Sequence, residues 1–129
     1  GNLGKDLKNL GDVMHLGTEL PLANLDEKMS KALLTMTNKS FGCIGVINNK
    51  KQIVGIITDG DLRRKLNSKF FEKKASEIMT RNPTLVSKDM LVGEALNVMN
   101  TKKITSLFVC NKKIPLGIVH IHDLLRLTS

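Results

Sequence analysis

The sequence is poor in aromatic residues and has no long hydrophobic run. It contains four Phe and neither Trp nor Tyr, so few side chains can stack on unpaired nucleic-acid bases. No apolar run approaches the roughly 18 residues that a membrane-spanning helix needs. The opening GNLGKDLKNL has no hydrophobic signal-peptide core. These absences predict a soluble, cytoplasmic domain that does not bind a membrane.

Cysteine is equally scarce. The two cysteines, Cys43 and Cys110, stand far apart with no CxxC spacing, which excludes a disulfide framework and a structural zinc site. Both lie in apolar, strand-like stretches, where cysteine behaves as a small hydrophobic residue. We expect reduced thiols in the core and no metal site.

The charge balance is strongly basic. The chain has 20 Lys and Arg against 12 Asp and Glu, a formal net charge of +8 over 129 residues. The basic residues form scattered pairs, such as Lys50–Lys51 and Lys112–Lys113, rather than one block. Nucleic-acid binding is kept as a third hypothesis, but scattered pairs with so few aromatics favour attraction of a small anion.

The chain repeats itself. Residues 12–68 and 77–129 carry the same pattern in the same order, and a polar connection, residues 69–76, lies between them. Corresponding pairs include Met14 and Met79, Asp26 and Asp89, Gly55 and Gly117, and Asp61 and Asp123. Phe70 and Phe71 are the apolar exceptions in the connection, and we expect them to hold it against the surface of the fold. One repeat buries too little surface to be stable alone, so the two copies are expected to pack together.

Each repeat predicts the element order β-α-β-β-α. An extended segment surrounds Pro21 or Pro83, and a helix follows in which apolar residues fall at i, i+3, i+4 and i+7. These residues are Met29, Ala32, Leu33 and Met36 in the first copy and Val92, Ala95, Leu96 and Met99 in the second. Two apolar strands and a last helix complete each copy. The predicted fold class is α/β of the α+β type, with pseudo-two-fold symmetry and clefts in which helix N-termini suit phosphate.

The last strand and helix of each repeat carry a motif. It reads GIITDGD from Gly55 to Asp61 and GIVHIHD from Gly117 to Asp123. Together with the methionine and proline near each start, this pattern resembles the cystathionine-β-synthase (CBS) domain, and the chain resembles a tandem CBS pair. The second copy departs from the family pattern because His120 stands where the family has Thr or Ser.

The resemblance implies a nucleotide or nucleotide-sugar ligand. Thr58 would donate to a phosphate, Asp61 would accept from ribose hydroxyls, and Gly55 would let the backbone approach closely. His120 and Asp123 would take the same places in the second copy. The resemblance also implies a homodimer formed through the CBS pair.

The residues themselves leave alternatives open. Thr58 also fits the N-cap of the last helix, with Asp61 at the capping-box position, and both roles are compatible. His120 and His122 are expected to point to one face of a strand with Asp123 nearby, which would suit a metal, but no remote further ligand is evident except His15. We favour ligand contact by His120, with an affinity that depends on pH near about 6 to 7. His15 is expected to be solvated.

A narrower resemblance rests on four segments: TDGDLRR (58–64), MTRNP (79–83), KIT (103–105) and HIHDLLR (120–126). They are similar to the C-terminal part of bacterial D-arabinose-5-phosphate isomerases, in which a sugar-isomerase (SIS) domain precedes a CBS pair. Residues 1–11 would then be the remnant of the junction between the two.

This second resemblance implies a function. The chain would be the regulatory module of an isomerase in Kdo and lipopolysaccharide biosynthesis, with its SIS domain as a partner. It would need no cofactor and contain no catalytic residue, and its ligand would be CMP-Kdo, CMP or an adenine nucleotide. The alternative is a purely structural dimerisation module.

Overall fold

The computed structural model describes residues 8–128. They form two compact units. The continuous unit is Pro21–Pro83, and the split unit combines residues 8–20 with residues 84–128. The expected junction remnant, residues 1–11, lies mostly outside the described residues.

The helices and strands are short, and they follow one another as the repeat predicts. In chain order they are α1 (Leu10–Val13), a 3-10 helix (Gly17–Glu19), β1 (Leu22–Asn24), α2 (Met29–Lys39), β2 (Cys43–Ile47), β3 (Ile53–Thr58), α3 (Asp59–Lys65), a 3-10 helix (Phe70–Glu72), α4 (Ala75–Ile78), β4 (Thr80–Arg81), β5 (Leu85–Val86), α5 (Val92–Lys102), β6 (Ser106–Asn111), β7 (Ile114–His120) and α6 (Ile121–Thr128). Within residues 8–128, no helix has the length and apolar character to cross a membrane.

Each unit contains one sheet. The continuous unit has four strands in the order β1-β2-β3-β4, and the split unit has three in the order β5-β6-β7. The first two strands of each sheet are parallel, and the next pairing is antiparallel. The predicted order β-α-β-β-α is therefore confirmed in both copies, and the fold class is α/β.

The amphipathic helices bury the faces that their periodicity predicts. The buried residues are Met29, Ala32 and Met36 on α2 and Val92, Ala95 and Met99 on α5. Leu33 and Leu96 are half-buried. The residue that follows each helix is in the left-handed conformation: Ser40 has φ 63° and Lys103 has φ 56°. This conformation turns the chain into the next strand.

The opening segment of each repeat, residues 12–20 in the first and 77–83 in the second, lies against the last strand of the other repeat. In the continuous unit, β4 pairs with β3 and places Thr80 opposite Ile56. In the split unit, an isolated antiparallel bridge places His15 opposite Ile118 on β7. The compact units therefore do not coincide with the sequence repeats 12–68 and 77–129, whose boundaries stay a prediction.

The connection between the repeats runs along the surface but contributes Phe70 and Ala75 to a core. Phe70 is 1% exposed and packs in the hydrophobic core of the continuous unit, whereas Phe71 is 47% exposed. The expectation that both rings hold the connection against the surface is wrong for Phe70. A fully buried phenylalanine removes more apolar area from water than a surface contact, so this segment is integral to the unit.

Two glycines make the crossed packing possible. A Cβ at Gly55 would lie 2.3 Å from Sδ and 2.9 Å from Cβ of Met79, and a Cβ at Gly117 would lie 2.5 Å from Sδ of Met14. Such distances are far inside van der Waals contact. Each strand therefore has a glycine where a methionine of the opening segment lies across it.

We expect Gly55→Ala to lower the free energy of unfolding of the continuous unit by about 1–3 kcal/mol, because the added methyl group overlaps Met79. Met79→Ala is expected to cost about 2–5 kcal/mol through the cavity that it leaves. The double variant should lose less than the two single variants together, because the small side chain makes room for the methyl group. Chemical denaturation followed by circular dichroism measures all three.

Gly93→Ala is the matched control. Gly93 lies on α5, and a Cβ there would meet nothing within 4 Å, so the substitution should stabilise the protein by about 0.5–1 kcal/mol through helix propensity. Strict additivity of Gly55→Ala and Met79→Ala would contradict the packing argument.

Candidate functional site

The first corner is the junction of β3 with α3. Thr58 is the last residue of β3 and the N-cap of α3, with extended backbone at φ −117° and ψ 170°. Asp61 is the third residue of α3, so its side chain folds back to the N-cap backbone and completes a capping box. The helix-cap alternative is confirmed.

Asp61 is 2% exposed, and its carboxylate is fully engaged. Oδ2 accepts from the Thr58 backbone N–H at 3.0 Å and from the Thr58 hydroxyl at 3.3 Å. Oδ1 accepts from Nη2 of Arg64 at 2.7 Å and from the Thr80 hydroxyl at 3.1 Å. Four donors match the four lone-pair directions of a carboxylate. A ribose hydroxyl can therefore reach Asp61 only if one of these donors leaves.

These bonds set the ionisation of Asp61. Burial raises the pKa of the carboxyl, but hydrogen bonds from Thr58, Thr80 and Arg64 and the charge of Lys65 outweigh burial, so the pKa lies below its ordinary value of 3.8. The carboxylate is charged at neutral pH. Its contribution to stability is present above about pH 4 and is lost as the pH falls through the lowered pKa.

Thr58 and Gly55 are also in contact with neighbouring side chains of the same corner. The Thr58 hydroxyl donates to Asp61 and accepts the Asp61 backbone N–H at 3.4 Å, so its proton serves the helix cap. The space next to Gly55 holds the Met79 side chain. In this conformation Thr58 stabilises the corner through hydrogen bonds, and Gly55 does so by making room for Met79.

The second corner repeats the arrangement at the junction of β7 with α6. Nδ1 of His120 accepts the His122 backbone N–H at 3.1 Å, which caps the helix as Thr58 does in the first corner. Asp123 accepts from Nε2 of His15 at 2.7 Å and from Nη2 of Arg126. Its side chain is 29% exposed, against 3% for Asp61. The second corner is the more open of the two.

His15 is a central part of this second corner. Its Nδ1 lies 2.5 Å from Oε2 of Glu19 and its Nε2 lies 2.7 Å from Oδ2 of Asp123. The expectation that His15 is solvated is wrong, because pairing with β7 carries it to the start of α6. A signal was present in the sequence: His15 follows Met14 as Thr80 follows Met79.

His120 is the last residue of β7 and His122 is the second residue of α6, so the expectation that both point to one face of a strand is wrong, but the two rings lie close together. The rings of His120 and His122 are 4.8 Å apart and inclined by 61°. Burial lowers the pKa of His120, the neighbouring His122 lowers it further, and the carboxylate of Asp123 offsets only part of this. Among the described residues, no three or more His, Cys, Asp or Glu side chains are arranged to hold a metal ion.

Both cysteines are reduced, as their spacing predicts. Cys43 is buried on β2, and burial raises the pKa of the Cys110 thiol to about 11. A thiol that stays protonated at neutral pH is a poor nucleophile. Both cysteines lie on apolar strands, and Cys43 stands opposite Thr58 in the pairing of β2 with β3.

Comparison with known proteins identifies the repeat. The family model of the CBS domain matches residues 10–68 and 75–129. Arabinose 5-phosphate isomerase KdsD of Yersinia pestis is 40% identical over 129 residues, which is 98% of this chain. The chain spans 39% of the length of that relative, so the similarity concerns one part of a longer enzyme.

Solved structures share the fold at low sequence identity. The structure of CBSX2 in complex with AMP has a TM-score of 0.79 and 24% identity, and covers 92% of this chain and 94% of its own. The CBS domain of a bacterial CNNM/CorC family Mg²⁺ transporter in complex with ATP has a TM-score of 0.80 and 16% identity, with coverages of 98% and 90%. Both comparisons establish the fold.

The buried carboxylate gives a prediction about stability. Asp61→Ala should lower the free energy of unfolding at neutral pH by about 1–3 kcal/mol, because it removes half of the capping box and leaves the Thr58 backbone N–H without its acceptor. The difference from the unsubstituted protein should shrink below about pH 4, where the latter loses the same carboxylate.

Asp59→Ala is the control, since Asp59 is exposed in the first turn of the same helix. It should cost about 0.3–1 kcal/mol through the helix dipole. Equal losses for Asp59→Ala and Asp61→Ala in urea denaturation would refute a special role for the buried carboxylate.

Proposed function

The chain belongs to the CBS domain family, and we propose that it is a regulatory module that binds a nucleotide at its two strand-to-helix corners. The observation that carries the proposal is the shared fold of two CBS proteins whose structures contain AMP and ATP. The formal net charge of +8 supports the same conclusion, because it favours the approach of a phosphate-bearing ligand.

The proposed parent protein is a D-arabinose-5-phosphate isomerase. Support comes from the 40% identity to the KdsD relative, which extends over almost the whole chain. Catalysis would then belong to an SIS domain outside this chain, and the module would regulate a cytoplasmic enzyme of Kdo and lipopolysaccharide biosynthesis. Adenine nucleotides are the first ligand class to test, and CMP and CMP-Kdo, as the nucleotide products of that route, are the second.

At the first corner, the proposed binding step is an exchange of hydrogen-bond donors on Asp61. The side chain of Arg64 is 67% exposed and Thr80 is exposed, so both can leave Oδ1 without uncovering the core. A ribose diol would replace them with two hydroxyl donors, which a carboxylate accepts strongly. The freed Arg64 guanidinium would then contact phosphate, and the Thr58 hydroxyl would do so after turning its proton away from Oδ2 of Asp61.

At the second corner, Asp123 and His120 would play the same parts. Asp123 already accepts from Arg126 and His15, and its larger exposure makes it easier to reach. His120 would donate from Nε2, because its Nδ1 accepts the His122 backbone N–H. Gly55 and Gly117 would act indirectly, by admitting the methionines that carry Thr80 and His15 to the corners.

A second candidate function is homodimerisation without a tightly held ligand. Three large apolar side chains of the continuous unit are exposed: Leu34 at 64%, Leu66 at 60% and Phe71 at 47%. Exposed apolar side chains on helices favour association when they form a continuous patch. Analytical ultracentrifugation of the isolated chain tests this candidate directly.

Thermal unfolding followed with a hydrophobic dye tests nucleotide binding. AMP, ADP, ATP, CMP and CMP-Kdo are compared, with inorganic phosphate as the control for nonspecific anion binding. A ligand at about 100 times its Kd adds about 2.7 kcal/mol of stability, which corresponds to a rise of about 5–15 °C in Tm for a chain of this size. Absence of a rise with every nucleotide, in a chain that sediments as a dimer, would replace this proposal with the structural one.

The donor-exchange step makes a sharper prediction. Asp61→Ala should remove most of the nucleotide-induced rise, whereas Thr80→Val should increase it, because the ligand then has one fewer donor to displace. Thr37→Val, an exposed substitution on α2, is the matched control and should leave the rise unchanged. If Thr80→Val weakens binding as much as Asp61→Ala, the exchange on Asp61 is wrong.

The assignment of catalysis to another domain is tested with the purified chain alone. It should show no turnover of D-arabinose 5-phosphate, measured by the appearance of ribulose 5-phosphate. Turnover that follows the chain through purification would overturn this division of the enzyme.

A further inference from the structure

The two corners share one framework but differ in the side chains that can bind a proton. Asp61 and Asp123 occupy the same place in α3 and α6, and each is paired with an arginine three residues later. In the continuous unit the other contacts come from hydroxyl groups. In the split unit, Asp123 is contacted by the imidazole of His15, and a second imidazole, His120, stands at the N-cap place. Thr58 therefore corresponds to His120, Thr80 to His15 and Gly60 to His122.

The contacts of His15 require a protonated ring. Both ring nitrogens face carboxylates, Glu19 at 2.5 Å and Asp123 at 2.7 Å. A neutral imidazole can donate from one nitrogen only, whereas the imidazolium donates from both. The hydrogen bond to Asp123 raises the pKa of His15, burial opposes this, and Glu19 adds to the rise.

The contacts of His120 require the opposite state. Its Nδ1 accepts the His122 backbone N–H at 3.1 Å, and a proton on Nδ1 would abolish that bond. Positive charge also faces His120 from three sides when His15, His122 and Arg126 are charged. The carboxylate of Asp123 is the group that favours protonation, and it is already held by His15 and Arg126.

We propose that His15, His120 and Asp123 form a pH-sensitive switch in the split unit. A proton on His15 allows the hydrogen bond to Asp123 that holds the segment 8–20 against α6. A proton on His120 breaks the hydrogen bond from the His122 backbone N–H that caps the first turn of α6. The charged groups that face the switch are Glu19 from the 3-10 helix and His122 and Arg126 from α6. The proposal does not rest on nucleotide binding.

The two histidines act on stability in opposite directions. The pKa of His15 is raised above 6.5, so its contribution is complete below that pH and is lost as the pH rises through the raised pKa. The pKa of His120 is lowered below 6.5, so its contribution is present above that pH and is lost as the pH falls towards the lowered pKa. The split unit is therefore most stable near pH 6.5 and less stable on either side.

The continuous unit provides an internal control. Its corner has threonines at both positions, and its aspartate titrates below 3.8. Over the range from about pH 5 to about pH 8.5, where histidine titrates, α3 should keep constant protection while the protection of α6 varies.

Two measurements on the whole chain test the proposal. NMR titration of the imidazole carbons should place the midpoint of His15 above 6.5 and that of His120 below it. Amide hydrogen exchange, corrected for the intrinsic effect of pH, should show α6 best protected near pH 6.5, with a several-fold loss of protection at about pH 5 and at about pH 8.5. A midpoint order opposite to this overturns the proposal, whatever the variants do.

The variants replace each histidine of the second corner by the threonine that stands at the matching position of the first corner. His120→Thr should abolish the acid loss of protection in α6, and His15→Thr should abolish the alkaline loss. The double variant should follow the flat profile of α3. If either single variant keeps the full bell-shaped profile, the assigned histidine does not operate the switch.

Discussion

The contact between a methionine side chain and a glycine of the neighbouring strand is the constraint on which both corners depend. Because Gly55 has no Cβ, Met79 lies across β3, and the next residue, Thr80, stands opposite Ile56. From this position the Thr80 hydroxyl reaches the carboxylate of Asp61. The corresponding residues of the split unit are Gly117, Met14, His15 and Asp123. The packing of a methionine against a glycine therefore decides which side chain completes each corner.

Much of this architecture could be predicted from the sequence. The helical spacing of Met29, Ala32 and Met36 gave the buried face of α2, and the paired motifs that end at Asp61 and Asp123 gave the corners. The crossed packing of the opening segments could not be predicted, because the alignment of two repeats shows which residues correspond and not which copy they contact. For this reason the roles of His15 and Thr80 could not be predicted, since their aspartate partners lie 108 and 19 residues away in the sequence.

The helix cap and the proposed ligand contact would draw on the same hydrogen-bonding groups. Thr58 and Asp61 satisfy backbone groups at the start of α3, which a short helix needs because its end groups are a large share of its hydrogen bonds. The remaining contacts of Asp61 come from Arg64 and Thr80, which are exposed and can be replaced. In the proposed binding step, a residue that is buried for stability would in this way offer two exchangeable lone pairs to a ligand.

The two corners share a geometry but differ in their charged groups. At the first corner, Arg64 balances Asp61, and the hydroxyl partners add no charge. At the second, Asp123 and Glu19 are balanced only when His15 is protonated, since Arg126 supplies a single positive charge. Loss of that proton leaves a net negative corner, which repels an anion at short range. The two repeats thus differ: the first corner has no histidine beside its aspartate, whereas the charge of the second depends on the proton of His15.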